Sequence, residues 1–107
     1  MSDTFERVKA LIANNEIRIS DHGYDELADD EIAVVEVLAG VEDATVVEDY
    51  PEFAKGPCVL VLEFDAGSKP IHVVWGIPLG HAGPAVLVTA YRPDPARWSE
   101  DFLERLK

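Results

Sequence analysis

Cys58-Val-Leu-Val-Leu-Glu-Phe64, then Asp65-Ala-Gly-Ser-Lys-Pro70, then Ile71-His-Val-Val-Trp-Gly-Ile77 is the stretch that decides the fold. The first run is almost continuously apolar, which predicts a central strand covered on both faces. The Gly- and Pro-containing residues after it read as a hairpin connection. In the second run Ile71, Val73, Trp75 and Ile77 share one face, while His72, Val74 and Gly76 take the other. Strands joined by so short a loop run antiparallel. Outward on one side, Thr45-Val-Val-Glu48 reads as a strand, set off by the loop Tyr50-Pro-Glu-Phe-Ala-Lys-Gly-Pro57. On the other side, Ala85-Val-Leu-Val-Thr-Ala-Tyr91 reads as a last strand beyond the loop Pro78-Leu-Gly-His-Ala-Gly-Pro84. The expectation is a four-stranded antiparallel meander in the C-terminal half.

The N-terminal half changes period. Asp3-Thr-Phe-Glu6 has the spacing of an N-cap with a back-reaching glutamate, and Phe5, Val8, Leu11 and Ile12 recur at helical spacing. This predicts a helix over 3–14. Glu16-Ile-Arg-Ile-Ser20 alternates as a short half-buried strand does. Ser20 or Asp21 can cap a helix over 22–28, anchored by Tyr24 and Leu27. Asp29-Asp-Glu31 offers the cap of a third helix, on which Ile32, Val35 and Leu38 share a face and Gly40 marks the stop. Arg92-Pro-Asp-Pro95 breaks the last strand, and residues 99–106 read as a closing helix or a loosely docked tail. The fold class predicted is α+β: a single two-layer domain over 1–107, with N-terminal helices packed on the C-terminal meander.

The chain has 107 residues, a size that suits one domain, and 48% of them are hydrophobic, which separates it from disordered chains. One cysteine, Cys58, cannot form an internal disulfide. No apolar run approaches the roughly 20 residues of a membrane helix, and the polar N-terminus lacks the apolar centre of a signal peptide. A cytoplasmic protein with no membrane contact is expected. The net charge of −12 is unevenly spread. Residues 16–65 carry fifteen acids against two bases, Arg18 and Lys55, whereas 66–98 carry one acid, Asp94, against Lys69, Arg92 and Arg97. The acid therefore belongs mainly to the helical half. It serves either as a solvated face or as a surface that docks a basic partner.

Few residues can carry chemistry. His22, beside Asp21 at a strand-to-helix junction, has the placement of a general acid or base, or of a histidine that orders the turn. His72 lies in an apolar strand, and His81 lies in a Gly-rich loop. Thr89 and Tyr91 point to one face of the last strand, and Arg92 follows where the sheet gives way. An arginine there can grip a phosphate through paired donors or pair with Asp94 or the acidic helices. Lys55 sits in the long loop as a solvated lysine or a substrate contact. No histidine pair has the spacing of a helical zinc motif, and there is no cysteine pair, so no metal site is expected. Cys58 reads as a small hydrophobe rather than a nucleophile.

Ile19-Ser-Asp-His22, the acidic-capped helix at Ile32, Pro70-Ile-His-Val-Val-Trp-Gly-Ile-Pro78 and Tyr91-Arg-Pro-Asp-Pro95 resemble a bacterial family of domains of unknown function, DUF4258, over roughly 17–99. Its element order looks like that of the RelE and BrnT toxins, small α+β proteins that cleave messenger RNA. The resemblance implies an RNA-cleaving enzyme with His22, His72 and Arg92 as catalytic groups and Lys55 and Tyr91 as substrate contacts, and it implies no cofactor. Such an enzyme requires His22, His72 and Arg92 to converge within one cleft. Family members commonly follow the histidine with basic residues, where this chain has Glu26, Asp29 and Asp30. The alternative is a non-catalytic module whose acidic helical face binds a basic protein. A homodimer through a sheet edge is the third expectation.

Overall fold

The computed structural model describes residues 2–106. Helix α1 spans Asp3–Ala13 and is capped by Ser2, one residue before the expected Asp3; the Ser2 hydroxyl accepts from Phe5 N at 3.0 Å. Phe5 and Val8 bury their side chains, with Leu11 and Ile12 packed at the rim of the same core. Strand β1 is Ile17–Ile19, and helix α2 is Asp21–Asp29.

Ser20 joins these two elements and holds them to the sheet. Its hydroxyl accepts from Gly23 N at 2.9 Å, capping α2, and donates to the Val88 carbonyl at 2.9 Å. Losing a helix cap costs about 1 kcal/mol, and a carbonyl robbed of its donor adds to that. Ser20→Ala is therefore expected to lower stability by roughly 1–2 kcal/mol, read as a lower denaturant midpoint at unchanged slope.

Helix α3 is Val34–Gly40, and a single 3-10 turn, Val41–Asp43, follows it. The expected acidic cap at 29–31 is not used. Residue Ala33 holds the N-cap position without a side-chain bond, and the Asp30 carboxylate instead accepts from Arg92 N at 2.7 Å. A long-range partner thus outcompetes the local capping role.

Four strands follow: β2 Thr45–Tyr50, β3 Cys58–Phe64, β4 Pro70–Gly76 and β5 Ala85–Tyr91. They form the expected antiparallel meander, but the sheet has five strands in the order β1-β5-β4-β3-β2. The correction comes from β1, which pairs in parallel with β5 through Ile17↔Ala85, Arg18↔Val86 and Ile19↔Leu87. Alternation alone shows that Ile17 and Ile19 share a face; it does not show which strand receives them. The fold is α+β with a mixed sheet.

Val59 and Val61 of β3, Ile71, Val73 and Trp75 of β4, and Leu87 and Ala90 of β5 face the helices and form the core with Phe5, Val8, Leu27, Val37 and Val41. The opposite face carries His72, Val74 and Gly76, as their alternation predicts. Residues 93–106 lie across one end of that face as a strap, the docked-tail form of the two expectations. They are tied by a bridge between Trp98 and Arg105 and by a bond from Leu106 N to the Arg97 carbonyl at 2.9 Å. No helix forms here: the Asp101 carboxylate accepts from Ser99 Oγ at 2.6 Å and Leu103 N at 3.1 Å, which closes a turn instead.

Candidate functional site

The sheet face turned from the helices divides into a covered end and an open end. At the covered end His72 is fully buried. Its Nε2 lies 2.9 Å from the Phe102 carbonyl, which can only accept, so Nε2 carries the proton. Nδ1 is left to accept from the Tyr91 hydroxyl at 3.2 Å. The Trp98 ring stands edge-on to the imidazole with centroids 4.4 Å apart. Burial holds the His72 pKa below its ordinary value, so the ring is neutral. Arg105 closes the strap through a two-pronged pair with Glu48, at 2.7 and 3.0 Å, and stacks its guanidinium 4.7 Å from the Trp98 ring centre. The Arg105 bond is the main cause of the lowered Glu48 pKa.

At the open end a hollow of about 330 Å³ sits on the sheet. Cys58, Val74, Gly76, Val86 and Val88 line it from the sheet, and Phe53, Lys55 and Gly56 line it from the β2–β3 loop. Arg18 joins them because β1 pairs with β5: the alternation that turns the half-buried Ile17 and Ile19 to the core turns Arg18 to the other face, opposite Val86. The loop is fixed by Ile77 N bonding the Pro57 carbonyl at 3.0 Å and Leu79 N bonding the Lys55 carbonyl at 3.1 Å. Gly56 makes this approach feasible. It has φ 123, and a Cβ there would strike the backbone of residues 77–79. Phe53 remains 52% exposed beside the hollow, a large aromatic without a full packing partner. Burial pushes the Cys58 thiol up, so it stays protonated at neutral pH.

The structure brings together only one pair of the expected site residues, His72 with Tyr91, and places both beneath the strap. Lys55 lines the hollow. His22 sits in the first turn of α2 with its side chain 65% exposed, 3.6 Å from Glu26. Arg92 turns away to the β3–β4 hairpin, where it pairs with Asp65 at 2.8 Å and donates to the Pro70 carbonyl at 3.3 Å. His22 and Arg92 lie at opposite ends of α2, since Asp30, which caps its C-terminus, holds Arg92 N. Neither His22, His72 nor Arg92 lines the hollow. His81 is an exposed loop residue. Among the described residues no group of three or more His, Cys, Asp or Glu side chains could hold a metal ion.

Sequence reasoning did not assign Arg18 or Phe53 to a site. The signal for Arg18 was present, as one cation between two isoleucines in an otherwise acidic stretch. Phe53 carried none, because a lone aromatic in a loop is ordinary.

The model of the family described as Domain of unknown function (DUF4258) matches residues 19–92. That span contains β2 to β5 and the last residue of β1, and it leaves out α1, Arg18 and the strap. No curated protein and no solved structure matches the chain significantly. With more than half of its length under one family model, the chain belongs to the DUF4258 family.

Proposed function

We propose that this domain binds single-stranded RNA on the open end of the sheet face and holds it without cutting it. One observation carries this: the two bases of the acidic half, Arg18 from β1 and Lys55 from the β2–β3 loop, line one apolar hollow beside an exposed phenylalanine. An unstacked base needs an apolar or aromatic platform, and its phosphates need nearby cations. Phe53 with the Val74–Val86–Val88 floor supplies the first, and Arg18 with Lys55 the second. The arginine can take a phosphate through two parallel donors, and the lysine acts as a point charge. The surrounding acid limits the footprint to this one patch.

Cleavage would need a group that takes a proton from a ribose 2′-hydroxyl. The expected group, His22, is an exposed residue of α2 that does not line the hollow, and His72 has both ring nitrogens occupied inside the protein. Arg92, the expected phosphate grip, is committed to Asp65. Binding is therefore the activity that this geometry favours.

The test is fluorescence anisotropy with a labelled RNA octamer. Arg18→Ala and Lys55→Ala are each expected to weaken binding about tenfold, close to 1.4 kcal/mol. Each should also lower the salt dependence by roughly one phosphate contact. The RNA should stay intact on prolonged incubation. Absence of binding by the wild type, or affinity indifferent to both substitutions, removes the proposal. Cleavage that disappears in His22→Ala would restore the enzyme instead.

A further inference from the structure

Glu63 is the one charged side chain that β3 turns toward the helices, in line with Val59 and Val61. It is 2% exposed, and among the described residues neither carboxylate oxygen has a hydrogen-bond partner. Desolvation raises its pKa to about 8. The carboxyl lies against Gly40 at the end of α3, so close that a Cβ at residue 40 would collide with Oε2. The missing side chain is what leaves room there. A hollow of about 390 Å³ opens at this point, lined by Gly40 and Glu63 together with Glu36, Ala39, Asp43 and Asp65. Asp65 is already paired with Arg92, whereas Glu36 and Asp43 make no ion pair among the described residues.

A buried carboxyl without a donor is costly, and the cost is relieved when a donor reaches it. The chemistry of the hollow selects the donor. The carboxylates around it call for a cation. They are too dispersed to enclose a metal ion. Ala39, Ala66 and Phe64 add apolar wall, which suits a methylene chain. We propose that this hollow binds an alkylammonium group, whose nitrogen reaches the Glu63 carboxylate beside Gly40 while Glu36 and Asp43 attract it at the mouth. The site is separate from the RNA-binding hollow, which lies on the other face of the sheet, and neither assignment depends on the other.

Binding carries a proton signature. Free Glu63 is protonated at pH 7, so an arriving ammonium must release that proton. Affinity should rise from pH 6 to pH 8 and fall again as the amine loses its own proton near about 10.4. The charged groups facing Glu63 across the hollow are Glu36 from α3, Asp43 from the 3-10 turn, and Asp65 from the hairpin, the last offset by Arg92 from β5.

The test is calorimetric titration of the full chain at pH 7 with putrescine and, separately, with Nα-acetyl-lysine amide, each in two buffers of different ionisation heat. Saturable binding with release of nearly one proton is expected, weakened at least tenfold in Glu63→Gln and about threefold in the surface variant Glu36→Gln/Asp43→Asn. Binding of putrescine alone identifies a free diamine as the source of the ammonium; binding of the lysine amide identifies a protein side chain. No binding of either probe, or equal binding by folded Glu63→Gln, overturns the assignment. Either result leaves the RNA titration unaffected.

Discussion

Glu63→Gln is expected to leave stability nearly unchanged at pH 5 and to raise it by several kcal/mol at pH 9. The folded carboxyl titrates near about 8, while in the unfolded chain it titrates near its ordinary 4.5. Between those values the native state binds more protons than the unfolded state, so stability falls as pH rises. The penalty is absent below pH 4.5 and complete above pH 8. At about 1.4 kcal/mol per pH unit the full window has an upper bound of roughly 5 kcal/mol, and local relaxation or water entry reduces it. Glutamine keeps the shape and removes the titration. Denaturant midpoints at pH 5, 7 and 9 measure the effect, and parallel pH profiles for the two proteins would sink it. The carboxylates of Glu48 and Asp65 act in the opposite sense. Arg105 lowers the first, and the backbone of Lys69 with the Arg92 pair lowers the second. Their contributions are present above the ordinary carboxylate range and lost as pH falls. Wild-type stability should therefore peak near the lower end of the Glu63 window.

Trp98→Ala should have an effect of similar size on the other face of the sheet. The indole is 5% exposed and is the strap's only fully buried large side chain among the described residues. It packs edge-on against His72 and under the Arg105 guanidinium. Removing a buried tryptophan costs about 3–5 kcal/mol, and here the cost has a particular form. The Phe102–His72 bond and the exposed Arg105–Glu48 pair depend on the indole to hold the strap in register. Exposed ion pairs contribute little by themselves. The strap should detach while the sheet persists, so trypsin should cut after Arg97 and Arg105 much faster than in the wild type, with the 2–92 region still folded by circular dichroism. Unchanged cleavage rates would mean that the polar contacts suffice. The attachment also depends on pH: His72 is held below its ordinary 6.5, so its contribution is complete above that value and is lost as pH falls through the lowered one.

How much of this was legible beforehand differs by element. The four-strand meander was readable because short loops force neighbouring strands to pair, and the turns around Lys69 and Gly56 announced themselves. The membership of β1 was not, since its partner lies 68 residues away (Ile17 to Ala85) and parallel pairing leaves no local mark. That single omission hid the site. Without β1 beside β5, Arg18 appeared to be a stray base rather than the counterpart of Lys55. His72 was legible as a satisfied core or sheet-surface residue, but what covers it was not, because the strap comes from a segment that alternation and propensity describe poorly. Glu63 stood in plain view as one acid in an apolar strand, and the sheet register places it on the inner face. What propensity could not supply was that no donor among the described residues reaches it.

The parallel seam between β1 and β5 also constrains the order in which the protein can be assembled during synthesis. Ile17–Ile19 emerges from the ribosome early, yet every backbone partner it will have belongs to residues 85–87. Helix α2 shares this dependence, because the Ser20 hydroxyl that caps it is anchored to the Val88 carbonyl. This acidic segment must therefore wait, unpaired, until β5 has been made. Its high density of negative charge is well suited to keeping such a segment dissolved and unassociated in the interval.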